Sequence, residues 1–229
     1  MTNEGAGSGW FRASINRASE LCSNLKLRVW HNPLPRYPPD MAANARKLTF
    51  QKEWDLYQSS SLFDIRLVDG ALFQFKEQPK DRSIFSYTFL ECPYAARSYS
   101  EFVSDTFGVE DPSFQFWEDY SNYVVQCELR ESVTPVRYDF SPNLYREGIH
   151  PTSHIHMGHR SEVRLACQRV MQPLSFFLFI VRQYYPAIWE EALHTHKEAE
   201  SLAKLVRADL DEVKVTGFKG KDFWELYLA

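Results

Sequence analysis

Residues 173–185, P-L-S-F-F-L-F-I-V-R-Q-Y-Y, constrain the fold most because their first nine positions are almost all apolar. The apolar stretch within them, 174–181, is much shorter than the roughly 20 residues that a helix needs to cross a bilayer. Pro173 suits the first position of a helix, whose three phenylalanines would then face a protein core. The segment therefore predicts a buried core helix that other elements must cover, and no membrane span.

The composition of the chain is compatible with such a core. The chain has 229 residues, of which 44% are hydrophobic, so it can form one large domain or two small ones and is not disordered in bulk. A net charge of -4 and a pI near 6.0 argue against broad, sequence-independent binding of nucleic acid. The four cysteines form no C-x-x-C pair and the N-terminus does not resemble a signal peptide, which predicts reduced thiols in a cytoplasmic protein.

Alternation of apolar and polar residues predicts the strands. Three of them, at 62–68, 71–75 and 84–90, form a meander whose first turn is Asp69-Gly70. Further strands are predicted at 133–140, 152–157 and 163–167. Pro135 lies inside the first of these and lacks an N–H for the ladder, so that strand is expected at an edge of the sheet.

Helical periodicity and capping signals account for most of the remaining chain. Helices are predicted at 10–25, at 42–57, from the capping box at Ser98 to Gly108, from Asp111-Pro112 onward, and after Pro186 with Ala199, Leu202, Ala203, Val206 and Leu210 facing inward. Residues 31–39 are expected to be an extended connector and residues 223–228 an apolar tail that docks on the body. The fold class that follows is a single α+β domain over 10–229, a mostly antiparallel sheet covered by helices, after a disordered segment 1–9.

Arginine and histidine are concentrated in the C-terminal half. Residues 130–182 contain seven arginines, four acidic residues and no lysine, and four of the seven histidines lie between His150 and His159. Arginine without lysine suits bidentate contacts to carboxylate or phosphate groups. The same arginines can equally serve to join loops and helix ends.

Two of these histidines fall on a predicted strand and therefore on one face of it. His154 and His156 are separated by one residue, which places their β-carbons roughly 6–7 Å apart and turns Ile155 towards the core. Other side chains within reach of the pair are His150, His159, Arg164, and, from the preceding strand, Arg137 and Asp139. The sequence thus predicts a polar cluster on a strand that faces solvent.

The first interpretation of this cluster is metal-free phosphodiester chemistry. One imidazole removes a proton from the nucleophile and the other protonates the leaving oxygen, because histidine titrates near neutrality, while arginine stabilises charge on the phosphate. With RNA the attacking group is the neighbouring 2′-hydroxyl, so no cofactor is expected. The predicted catalytic residues are His154, His156 and Asp139, and the predicted substrate-binding residues are Arg137, Arg164 and His150.

Two other interpretations remain open. A histidine pair with a carboxylate such as Asp139 or Glu162 suits zinc, iron or manganese. Gly148 followed by His154-Ile155-His156 matches the first half of the cupin pattern, but Glu162 falls one position late and the following glycine is missing. In the third interpretation the imidazoles are structural and bond to backbone groups of the loop.

The motifs also carry a resemblance to known sequences. R-Y-D-F at 137–140, H-P-T-S-H-I-H-M-G at 150–158 and R-x-x-x-x-R at 164–169, before the apolar helix, resemble an uncharacterised bacterial family known as a domain of unknown function. The order of R-Y-D before H-x-H is loosely similar to small toxins of bacterial toxin–antitoxin pairs. The resemblance implies a bacterial cytosolic protein of a conflict or defence locus. Together with the phosphodiester chemistry above, it leads to the hypothesis of a toxin or antiviral effector that acts on RNA or a nucleotide and is held by a partner from the same operon. The alternative is a non-enzymatic binding or accessory subunit of a defence complex.

Overall fold

A computed structural model of the chain describes residues 9–38, 40–45, 47–78, 81, 83–110, 114–160, 163–195, 211–212 and 227–228. The helices in these ranges are α1 (Gly9–Asn24), α2 (Met41–Ala45), α3 (Phe50–Ser59), α4 (Tyr99–Phe107), α5 (Trp117–Val124), α6 (Pro173–Tyr184) and α7 (Pro186–Thr195), with single 3-10 turns at Phe114–Phe116 and Pro142–Leu144. The strands are β1 (Arg28–His31), β2 (Ile65–Leu67), β3 (Leu72–Glu77), β4 (Phe85–Leu90), β5 (Val136–Phe140), β6 (Ser153–Met157), β7 (Leu165–Cys167), β8 (Arg169–Val170), β9 (Asp211–Glu212) and β10 (Tyr227–Leu228).

One eight-stranded sheet organises the fold, in the order β1-β2-β3-β4-β5-β6-β7-β10. The neighbours from β1 to β7 pair in antiparallel fashion, and β10 adds to β7 in parallel. The strands β8 and β9 form a separate antiparallel ribbon. This architecture confirms the predicted α+β class with a mostly antiparallel sheet.

The first face of the sheet packs against α1 and α6 in a core of aromatic rings. Phe73 and Phe75 of β3 and Tyr87 of β4 are buried beneath Phe176 and Phe177 of α6, with the rings of Phe73 and Phe177 centred 5.4 Å apart. Burying one such side chain stabilises the fold by about 1.5–3 kcal/mol. The apolar helix predicted from its sequence is therefore the central covering element of this face, as expected.

The second face is covered near β2, β3 and β4 by helices α2 to α5. Trp54 of α3 is buried there, and its indole N–H donates to the carbonyl of Gly70 at 3.1 Å. Gly70 has φ of +83°, and a β-carbon at this position would lie 3.2 Å from the Cys92 Cβ and Sγ atoms. Both the left-handed turn and the close approach require glycine.

Three sequence predictions about the elements are wrong. β5 is a central strand paired with β4 and β6. Pro135 does not interrupt this pairing because it precedes the strand, and the Pro135 carbonyl accepts a hydrogen bond from the Gly158 amide at 2.8 Å. The helix expected at 42–57 is divided into α2 and α3, since Thr49 caps a new helix by accepting from the Lys52 amide. The connector expected at 31–39 begins inside β1, which the sequence did not predict.

Other predictions are confirmed or lie partly outside the described residues. Ser98 and Glu101 form the expected capping box of α4, and Gly108 ends it in the left-handed region. Gly9, assigned to a disordered segment, is the first residue of α1, and residues 1–8 lie outside the described ranges. The expected helix start at Asp111-Pro112, the inward-facing residues after 196, and residues 223–226 of the tail also lie outside them.

Tyr227 and Leu228, at the end of the expected tail, pair with Ala166 and Cys167 of β7. Within the described ranges, no helix is both long and apolar enough to cross a membrane.

Candidate functional site

Two rows of polar side chains cross the second face of the sheet at the level of strands β3 to β6. Because antiparallel partners share a face, each row follows directly from the strand register. The first row is Lys76, Ser86, Asp139 and His154, and the second row is Gln74, Thr88, Arg137 and His156. The intervening residues, such as Tyr138 and Ile155, are buried in the core on the first face. Strand alternation alone thus gathers a lysine, an arginine, a carboxylate and two imidazoles.

Asp139, His154 and His156 form the centre of these rows, which we call the histidine–aspartate cluster. The Asp139 Oδ2 atom lies 3.3 Å from the His156 Nε2 atom and 4.0 Å from the His154 Nε2 atom. The two imidazole rings are centred 4.8 Å apart, and the His150 ring is also centred 4.8 Å from that of His154. Asp139, His154 and His156 are therefore close to one another, and His150 joins them through its contact with the His154 ring.

The carboxylate of Asp139 is held in place by neighbouring donors. The Ser86 hydroxyl donates to Oδ1 at 2.8 Å, and the Arg137 Nε–H donates to Oδ2 at 2.9 Å. Burial alone raises the pKa of Asp139, but the hydrogen bond from His156, the charge of Arg137 and the Ser86 hydroxyl outweigh it and hold the pKa well below its usual range. Asp139 is therefore an anion at neutral pH and a fixed acceptor for His156.

His154 is in a different electrostatic environment from His156, although both lie on one strand. Burial lowers the pKa of His154 to about 4, although the charge of Asp139 acts in the opposite direction. Burial and the charge of Arg164 likewise lower the pKa of His150. At neutral pH the cluster therefore combines a neutral imidazole at His154 with an imidazole at His156 that is bound to a carboxylate.

The expectation that the two histidines face solvent is wrong. Only 1% of His154 and 5% of His156 is exposed. Both side chains are therefore covered by other parts of the protein, even though their strand is five residues long and lies near one end of the sheet. The segment after β6 crosses towards α3, where the His159 Nε2 atom lies 3.0 Å from the Glu53 Oε2 atom and Arg160 donates to the Leu48 carbonyl. Arg137 and Asp139 are more exposed than the two histidines, since 38% and 24% of their side chains are accessible to solvent.

The structure brings most of the predicted site residues together. Arg137 contacts the cluster directly, and His150 contacts it through the His154 ring. Arg164 is exposed and acts on the cluster through its charge near His150. His159 instead pairs with Glu53 of α3, and Glu162 lies outside the described residues.

Sequence reasoning missed Lys76, which lies in the same row as Asp139. Its ammonium group donates to Gln74 Oε1 at 3.0 Å and lies 4.8 Å from the centre of the Tyr37 ring. Burial lowers the pKa of Lys76 to about 8, with the carboxylates of Asp64, Glu53 and Asp139 opposing that effect. Lys76 is thus a mostly protonated cation on the polar face. Two sequence clues could have identified Lys76 as part of this face. It alternates with the apolar Phe75, and the register of the hairpin formed by β3 and β4 aligns it with Ser86.

The cluster also has the composition of a metal-binding site. One ligand atom each from Asp139, His154 and His156 can be chosen so that all three lie within 4.8 Å of one another. Two imidazoles and a carboxylate are suitable ligands for zinc, iron or manganese. Ser86 and Arg137 would orient the carboxylate, as hydrogen-bond partners of metal ligands do.

Comparison with known proteins identifies one family. A family model described as "Uncharacterized conserved protein (DUF2290)" matches residues 34–215, which include all of the histidine–aspartate cluster. No curated protein and no solved structure shows a significant match to the chain.

Proposed function

The chain belongs to the DUF2290 family, in agreement with its resemblance to a domain of unknown function, and we propose that this member is a metal-independent phosphodiesterase that cleaves RNA. The observation that carries the proposal is the asymmetry within the cluster. His154 is buried and neutral, whereas His156, in contact with it, is bound to the anionic Asp139. Neighbouring titratable groups in such different environments are suited to opposite roles in acid–base catalysis.

In the proposed reaction the neutral His154 is the general base and His156 the general acid. His154 takes the proton of the 2′-hydroxyl as its oxygen attacks phosphorus, and His156 gives its proton to the 5′-oxygen as the P–O5′ bond breaks. The products are a 2′,3′-cyclic phosphate and a free 5′-hydroxyl. Asp139 orients His156, because its Oδ2 atom lies 3.3 Å from the His156 Nε2 atom.

In the proposed reaction two cations, Arg137 and Lys76, stabilise charge on the phosphate. Arg137 is partly exposed beside Asp139, and Lys76 occupies the row of Asp139 two strands away. Preorganised cations aimed at developing charge are among the largest contributions to catalysis in a site of low water content. Arg164 and His150, at the other side of His154, complete the substrate-binding residues of the proposal.

A second candidate is a transition-metal centre formed by the same three residues, and the convergence of their ligand atoms within 4.8 Å favours it. A bound ion would occupy the lone pairs of both imidazoles, so proton transfer by His154 and His156 could not continue. The two candidates are therefore mutually exclusive. Elemental analysis of purified protein and activity in a chelator separate them.

The wider part of the proposal follows from the sequence resemblance. We infer a cytoplasmic toxin or antiviral effector, held by a protein partner from the same operon. If the protein has no catalytic activity, the alternative is a binding or accessory subunit of a defence complex, in which the cluster grips an acidic group of a partner. A neighbouring antitoxin-like gene favours the effector, and a large multi-subunit operon favours the accessory subunit.

The test compares RNA cleavage by wild-type protein, His154→Gln and His156→Gln. Glutamine is preferred to alanine because both positions are buried and an amide retains polar contacts. Each loss of proton transfer is expected to reduce the rate about 10²–10⁴-fold. Gln183→Ala, on an exposed position of α6, is the matched control and should retain full activity. Folded wild-type protein that cleaves no RNA, or two folded variants with full activity, would contradict the proposal.

A further inference from the structure

A groove of about 350 Å³ lies at the β1–β2 edge of the sheet, apart from the histidine–aspartate cluster. It is lined by Trp30 of β1, Arg66 of β2 and Trp117 of α5, together with two serines at the C-terminal end of α3, Ser59 and Ser61. Arg66 and Asp139 lie on strands separated by three strand spacings, about 14 Å. The groove is thus a separate feature of the same face of the sheet.

Arg66 is a buried cation that lines this groove. Only 4% of the residue is exposed, and its guanidinium lies between the rings of Phe63, at 4.3 Å, and Trp117, at 4.1 Å. One of its five N–H groups donates to the Gln58 carbonyl at 3.3 Å, whereas the buried Nε atom has no hydrogen-bond partner among the described residues. Capping the C-terminus of α3 through the Gln58 carbonyl thus occupies one of the five N–H donors of Arg66.

No carboxylate neutralises Arg66 within the described part of the chain. It forms no salt bridge there, and burial lowers the pKa of Arg66 to about 9 with Tyr120 the one group opposing this effect. An ion held in a protein without a counter-ion costs several kcal/mol. An anionic ligand in the groove would recover part of that cost and occupy the remaining donors of the guanidinium.

The rim of the groove offers a flat apolar surface beside this cation. Trp30 is 41% exposed although it lies in a strand. Ser61 follows the end of α3 with φ of +51°, where glycine is the usual residue, and it also lines the groove. An exposed indole next to a guanidinium provides stacking for a base and a contact for its phosphate.

We propose that this groove binds a nucleoside monophosphate, with its phosphate on Arg66 and its base on Trp30. A groove of about 350 Å³ is in the size range of small-molecule sites, so a mononucleotide fits it better than an extended nucleic acid. The proposal does not depend on RNA cleavage, since it uses none of the residues of the histidine–aspartate cluster.

The test is isothermal titration of the full chain with AMP, adenosine and inorganic phosphate. AMP should bind more tightly than either part alone. Arg66→Met, which keeps the bulk between the two rings, should weaken AMP binding about 10–100-fold, as expected for a hydrogen bond to a charged group. Trp30→Ala should weaken it about 5–150-fold through the loss of stacking.

Arg97→Met is the matched control, because Arg97 also lies against an aromatic ring, that of Tyr123, but is exposed and paired with Asp105. It should leave AMP binding unchanged, and Arg66→Lys should retain part of it. No AMP binding by folded wild-type protein, or equal binding by Arg66→Met, overturns the proposal. Inorganic phosphate or adenosine binding as tightly as AMP also overturns it. Intact RNA cleavage with no AMP binding rejects the groove alone.

Discussion

Replacement of His154 by glutamine should reduce the dependence of stability on pH. The ordinary pKa of histidine, 6.5, applies to the unfolded chain, and burial lowers the pKa of His154 to about 4 in the folded protein. Between these values the unfolded state binds a proton that the folded state does not, so stability rises with pH. The stabilisation is complete above about pH 6.5 and is lost as pH falls towards 4.

The size of this effect follows from the interval between the two pKa values. At 1.36 kcal/mol per pH unit, wild-type protein should lose about 3 kcal/mol of unfolding free energy from this residue between pH 6.5 and 4. His154→Gln should show a flatter profile by that amount. Part of the slope remains in the variant, because burial also lowers the pKa of His150.

Urea unfolding of both proteins, followed by tryptophan fluorescence at intervals from pH 7.5 to 4, measures the two profiles. Equal slopes in wild type and His154→Gln over this range would refute the reasoning, because they would mean that His154 is not held neutral by burial. That outcome would also remove the general base from the proposed mechanism.

Three further predictions concern packing, backbone and electrostatics. Ile155→Ala should lower the unfolding free energy by about 2–5 kcal/mol in urea, because Ile155 is fully buried. Gly70→Ala should lower it by about 2 kcal/mol, since a positive φ and the contact with Cys92 both oppose a β-carbon. Lys76→Met should slow RNA cleavage about 10-fold or more while retaining the fold, as measured by initial rates and circular dichroism. A fully active Lys76→Met variant would exclude it from the phosphate contacts.

Local alternation was enough to predict much of the sheet and part of the site. The strands around Phe73, Tyr87 and Ile155 follow a period of two, and this period places His154 and His156 on one face. The pairing of Asp139 with this face also follows, because consecutive antiparallel strands lie side by side. The alternation of each strand and the pairing of neighbouring strands depend only on residues that are close together in the sequence.

The burial of the cluster depends on contacts that are distant in sequence. His159 meets Glu53, a residue 106 positions earlier, and no local pattern predicts that pair. Lys76 joins the site through the pairing of β4 with β5, across a connection of 45 residues that contains α4 and α5. A polar face of a strand therefore predicted solvent exposure, whereas the tertiary structure covers it.

The misplacement of β5 has a more local cause. Pro135 lacks a donor, which is incompatible with a central strand only if the residue itself occupies a ladder position. The strand begins one residue later, at Val136, so every amide that pairs is present. Boundary placement, rather than the type of element, was the source of the error.

The central claim is that imidazole groups cleave RNA through its own 2′-hydroxyl, without a metal. The most direct measurement is the cleavage, in excess EDTA, of an RNA oligonucleotide and of the same oligonucleotide with 2′-deoxy sugars throughout. The account predicts cleavage of the first into fragments that end in a 2′,3′-cyclic phosphate, and no cleavage of the second. Cleavage of both substrates, or activity that disappears in EDTA and returns with added zinc or manganese, would contradict it.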